Sequence, residues 1–158
     1  MTRMRLGSAA AIAAGTLAAT GLAFAPTAAA VTPQTATIAA TCSIGGSGAA
    51  TLTATQTGTS ATVTLSSTEI TTPLAVAQDS ASSTLTLVKA SGGTTVFTGT
   101  KNPAIPAGGG VTVGPLDGTV ASGDSLEAYG GSLQIVVFGI TISCTAGGPQ
   151  SPGPFVFE

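Results

Sequence analysis

Few residues in this chain are equipped for chemistry, and their identities limit what that chemistry can be. There is no histidine and no tryptophan, and there are two cysteines, Cys42 and Cys144. Without an imidazole, neither a Ser-His-Asp nor a Cys-His arrangement can be assembled. Two cysteines alone fall short of the four Cys/His ligands of a closed zinc site, and their spacing is far from the C-x-x-C of a redox pair. The carboxylates beyond the N-terminal segment are Glu69, Asp79, Asp117, Asp124, Glu127 and Glu158. Asp124 and Glu127 lie near one another and near Asp117, but a glycosidase needs two carboxylates facing one cleft with aromatic and hydrogen-bonding walls. Only Tyr129 is close by in sequence, and turns favour aspartate for local hydrogen bonding, so these acids read as solvated turn residues. Neither Asp117 nor Asp124 lies in a D-x-D-x-D-G calcium loop. Gly108-Gly109-Gly110 leads into a strand and not a helix, which makes it a flexible loop and not a phosphate cradle. The inventory predicts no catalytic residue, no cofactor site and no metal site.

What the two cysteines can do is pair. In an exported domain they read as one disulfide, Cys42 to Cys144. Closing a loop of roughly 100 residues stabilises by about 4–5 kcal/mol in the chain-entropy model. Export itself is predicted by the N-terminus. Arg3 and Arg5 form a basic start, residues 6–24 are apolar and Ala-rich, Pro26 breaks the run, and Ala28-Ala29-Ala30 supplies a small-residue cleavage pattern. Residues 1–30 are therefore expected to be a secretory signal, with the mature chain starting at Val31. The arginines are not adjacent, as a twin-arginine signal requires, and Cys42 is too far downstream for a lipoprotein.

Charge narrows the partners. Beyond residue 30, Lys89 and Lys101 face six carboxylates, a net charge of −4. Two cations cannot neutralise a run of phosphates, which argues against nucleic acid and against attraction to anionic lipid. Hydrophobic residues make up 43% of the chain and charged ones 6%. Past the signal the apolar residues are scattered among Thr, Ser and Gly, so no membrane-spanning run exists in the mature chain. The abundance of Thr, Val and Ile suits a pleated, half-buried surface and argues against disorder.

The elements that must hold these residues are strands. Ala36, Ile38, Ala40, Cys42 and Ile44 alternate with polar or small neighbours, as do Leu52 and Ala54, then Ala61, Val63 and Leu65, then Leu85 and Leu87. Gly58, Ser91-Gly92-Gly93, Asp117-Gly118, Gly123-Asp124 and Gly130-Gly131 read as turns. Residues 101–110 form a Pro/Gly-rich loop before a short strand carrying Val111 and Val113. The most apolar element runs from Leu133 to Cys144. In it Val136, Phe138, Ile140, Ile142 and Cys144 share one face, and Gly139 marks a bulge or a tight turn that splits it into a hairpin. About seven to nine short strands with turn signals every 8–12 residues point to a sandwich or small barrel, and the expected fold is an antiparallel β-sandwich of immunoglobulin-like type, spanning residues 31–148. The Thr-x-Thr rows have no constant period linking them, so they read as solvated strand faces and not as an ice-binding array.

Aromatic residues are scarce. Phe97 and Phe138 are expected in the core, and no flat platform for stacking sugars can be built. Residues 149–158 form a Pro/Gly-rich tail ending Phe155-Val156-Phe157-Glu158, whose alternation predicts a final edge strand. As an exposed segment the same tail would make Phe155 and Phe157 the candidate interaction residues, by edge pairing with a neighbouring sheet.

Thr41-Cys42-Ser43-Ile44 near the mature N-terminus, Ile142-Ser143-Cys144-Thr145 at the end of the last apolar strand, and the Gly/Pro/Gln stretch 147–151 together resemble the uncharacterised secreted immunoglobulin-like domains of actinobacteria. The resemblance implies a sandwich tied by a terminal disulfide and supplies no functional residues. In size, acidity and Ala/Thr/Gly/Ser bias the chain is also similar to the apoproteins of the neocarzinostatin family, which carry enediyne chromophores and have two disulfides where this chain has cysteines for one. The expected function is a non-enzymatic structural or interaction module, secreted or associated with the cell wall. Its partner would be an envelope or extracellular protein or a second copy of itself. The alternative is a carrier for a small apolar ligand.

Overall fold

The computed structural model describes residues 31–158; the signal expected over residues 1–30 lies outside them. Nine strands follow one another: β1 (Thr35–Cys42), β2 (Ser47–Thr57), β3 (Ser60–Thr71), β4 (Ser82–Lys89), β5 (Thr94–Gly99), β6 (Gly110–Thr119), β7 (Ser125–Val137), β8 (Ile140–Ala146) and β9 (Phe155–Val156). Alternation places them as expected. Ala36, Ile38 and Ala40 of β1, Leu52 and Ala54 of β2, Val63 and Leu65 of β3, and Leu85 and Leu87 of β4 are buried. Thr51, Thr53, Thr55 and Thr57 line the solvent side of β2.

The all-β class holds, while the sandwich gives way to a closed barrel. All pairings are antiparallel, and they run β1-β2-β3-β6-β5-β4-β7-β8 and back to β1, because β4 pairs with β7 as well as β5. With β7 returning beside β4 after the consecutive strands β4, β5 and β6, the order is a Greek key. Sandwich and barrel share the apolar-in, polar-out alternation, so sequence periodicity does not separate them. What persists of two sheets is visible at the seams. The half β6-β3-β2-β1 meets the half β5-β4-β7-β8 through the single register pair Thr98–Asp117 on one side. On the other side the ladder is Ala40–Ala146, Thr41–Thr145 and Cys42–Cys144.

The disulfide sits on that second seam. Cys42 and Cys144 are directly opposed, with Cα atoms 4.0 Å apart. Cross-linking there ties the first barrel strand to the last.

The C-terminal segment is part of the barrel. β8 and β9 act as two halves of one interrupted eighth strand. Ser151 bridges Thr37, and Val156 bridges Thr32 on one side and pairs with Ser125 of β7 on the other. Where the ladder is interrupted, side-chain amides replace it. Gln150 accepts from the Ala128 N–H through Oε1 (3.0 Å) and donates through Nε2 to the Gly153 carbonyl (3.0 Å). The Gln56 amide holds both backbone groups of Glu158, accepting from its N–H (2.9 Å) and donating to its carbonyl. Phe155 and Phe157 are 0% and 1% exposed. Far from forming a contact surface, they plug one end of the barrel together with Val31, Val120 and Leu126, which are also buried. Alternation predicted the strand, and the barrel's open end explains where the rings go.

Three turn and face expectations are corrected. Gly130-Gly131 does not turn the chain but lies inside β7, where the register with β4 shifts between Thr86 and Val88. Asp117-Gly118 is not a turn but lies within β6, with Asp117 opposite Thr62 and Thr98. Gly118 is required for close approach, since a Cβ there would stand 2.5 Å from the Phe97 ring. Phe138 is not a core residue. Phe138 and Gly139 are the two residues of the β7–β8 hairpin turn, both with positive φ (54° and 70°). Leu133, Ile135 and Val137 therefore face inward with Cys144, while Val136 and Phe138 are 42% and 60% exposed.

Candidate functional site

The barrel's two ends differ. One is plugged by the C-terminal phenylalanines. The other carries a cleft bounded by the ends of β1, β3 and β6, the loops after β3 and β5, and the β7–β8 hairpin. Its inner volume is about 90 Å³.

The cleft is built from apolar side chains of several distant segments. Ile70 and Val113 form part of its inner wall with Ile135 and Val137 of β7, and the Cys42–Cys144 disulfide also lines it. Its outer wall is the pair of loops 72–81 and 100–109. They are joined by reciprocal backbone bonds between Val76 and Ile105 (2.8 and 2.9 Å), and by Thr72 bonding Gly108 and Gly109.

Asn102 fastens these loops from within. It is 3% exposed. Its Oδ1 accepts from the N–H groups of Ser80 and Ala81 (3.0 Å each), and its Nδ2 donates to the carbonyls of Ala77 and Pro103 (2.8 Å each). That is the full hydrogen-bonding capacity of an amide side chain, so Asn102 serves as a structural clamp with nothing left to offer a ligand. No charged residue lines the cleft.

The rim is apolar as well. Eight large apolar side chains are exposed among the described residues, and four of them, Ile44, Leu74, Phe138 and Ile140, line this cleft. Scattered exposed apolar residues need no explanation, whereas a cluster of them around a concavity marks a contact site.

The acids weighed in the sequence do not gather here. Asp124 Oδ2 accepts from the Ala121 N–H (2.9 Å) in the turn before β7 and lies 3.5 Å from the Lys89 ammonium. Glu127 Oε1 accepts from the N–H groups of Tyr129 (3.1 Å) and Gln150 (2.8 Å). Asp117 is exposed on β6, and Tyr129 is 51% exposed on β7. Among the described residues no three metal-ligating side chains cluster, and no helix is long and apolar enough to cross a membrane.

Sequence reasoning missed Phe138, Leu74 and Asn102. A signal existed for the first, since Phe-Gly occupies a two-residue hairpin turn where Asn-Gly is the usual occupant. Asn102 precedes Pro103 in the Pro/Gly-rich loop, which marks a turn without revealing the loop it clamps. No family model, curated protein or solved structure matches this chain.

Proposed function

We propose that this protein is an exported, non-enzymatic interaction module that makes contact through the open apolar end of its barrel. The observation that carries the reading is the cleft itself: uncharged, apolar within, and rimmed by Ile44, Leu74, Phe138 and Ile140. Such a surface recognises apolar groups and excludes charged ones, which would be desolvated there without a partner. The N-terminal signal pattern supports export, and the disulfide is the kind of bond that persists in oxidising compartments.

Size favours contact over cargo. An inner volume of about 90 Å³ is well below the roughly 300–1,000 Å³ of sites for drug-sized ligands. It suits one apolar side chain, with the rim covering the remainder of an interface. A carrier of a polycyclic chromophore would need a larger space.

The reading is tested with toluene, an uncharged probe about the size of one side chain, titrated into the folded protein in dilute solution and followed by NMR. The wild type should bind it, and Leu74→Asp with Ile140→Asp should abolish binding without lowering secondary structure. Equal binding by the double variant would place the apolar site elsewhere.

A further inference from the structure

The β7–β8 turn combines two unfavourable choices in one residue. Phe138 adopts a φ of 54°, a left-handed conformation that glycine and asparagine tolerate and bulky side chains rarely do. It also leaves an aromatic ring 60% exposed. An outlier of this kind points to a role outside the fold of a single copy. The ring stands at the lip of a cleft that takes about one apolar side chain, so knob and hole lie side by side on the same end of the molecule. The other end shows what fills a barrel mouth in this fold, since Phe155 and Phe157 plug it.

We propose that the occupant of the cleft is a second copy of this chain, with Phe138 of each copy entering the cleft of the other. The proposal rests on the reading of the open end as the contact site. Knob and hole on one surface are what a two-fold interface requires, because one rotation satisfies both contacts. Electrostatics point to the same face. With two lysines against six carboxylates beyond residue 30, copies repel one another in general, and the cleft is lined by none of these charges. The cleft itself opposes no like charges, and the nearest carboxylates in the chain, Glu69 beside Ile70 and Asp79 in the loop 72–81, are exposed at its margin.

Sedimentation velocity of the purified protein over a concentration series tests this, with Phe138→Asn as the variant. Asn-Gly suits a turn with two positive φ values, so the variant should fold and, in dilute solution, melt no lower than the wild type. The wild type should show a monomer–dimer equilibrium. Phe138→Asn should weaken it by roughly 30-fold or more, as removal of a central aromatic anchor does. A wild type that stays monomeric at millimolar concentration, or a dimer indifferent to Phe138→Asn, overturns the proposal. Flotation with phosphatidylcholine vesicles forms a second arm: a monomer that binds them through Phe138 assigns the ring to a bilayer surface and equally overturns it. Toluene binding separates the two readings. A monomeric wild type that takes toluene in the cleft keeps the contact site and loses the second copy. A Phe138→Asn monomer that takes none loses the contact site too.

Discussion

Replacing Phe155 by alanine asks whether the C-terminal segment belongs to the barrel. The ring is fully buried, and its backbone pairs with β7 through the two-residue strand β9, Leu126–Phe155 and Ser125–Val156, with Val156 also bridging Thr32. Truncating a buried phenylalanine costs about 3–5 kcal/mol, from lost transfer energy and the cavity left behind. A domain the size of residues 31–158 has an unfolding entropy of about 0.27 kcal/mol/K. A loss of about 4 kcal/mol therefore lowers Tm by about 15 °C. Phe138→Ala provides the internal control: its ring is 60% exposed, and in dilute solution the change should stay within about 2 °C, as for surface substitutions. Thermal unfolding followed by far-ultraviolet circular dichroism, with urea titration for the free energy, reads both. Equal shifts for the two variants, or a Phe155→Ala protein melting like the wild type, would show that the tail is not a plug.

Other perturbations have equally definite outcomes. Cys42→Ser should lower stability by roughly 2–5 kcal/mol, and the native protein should show no titratable thiol until it is reduced; a free thiol would contradict the closed seam. Asn102→Asp turns two donors facing the carbonyls of Ala77 and Pro103 into an acceptor. It should cost about 1–3 kcal/mol, with faster hydrogen exchange at Ser80 and Ala81; unchanged exchange there would remove the clamp. Gly118→Ala should destabilise by about 1–3 kcal/mol through overpacking against Phe97, measured by urea unfolding, whereas a turn glycine at that position would leave Phe97 undisturbed. The proposed export predicts that N-terminal sequencing of protein recovered from the culture medium begins at Val31; a retained Met1 would contradict it.

The period-two pattern made most strands legible, because it reports which side chains turn inward. It does not report which strand lies beside which, so the pairings β3–β6 and β4–β7 that close the ring were hidden. The same limit explains the error at Phe138. A two-residue turn makes Val137 the partner of Ile140, so the inward set changes from odd to even positions at the turn. Carrying a single alternation through residues 133–144 hides that change and buries Phe138. Asp117-Gly118 has the sequence of a turn, because a glycine needed for packing against Phe97 looks identical in sequence to one needed for a turn. The disulfide was legible because two cysteines allow one intramolecular pairing. The cleft was not, since residues as distant as Ile44, Leu74 and Phe138 meet only after the barrel closes.

Contact through the open end is tested most directly by where an apolar group binds. Isoleucine, leucine and valine methyl groups can be followed by NMR while toluene is added to the protein in dilute solution. Shifts should concentrate at Ile44, Ile70, Leu74, Ile105, Val113 and Ile140 around the open end, with Val31, Val120 and Leu126 at the plugged end unmoved. Shifts at the plugged end, or none at the cleft, would contradict the claim that this protein makes contact through its open apolar mouth.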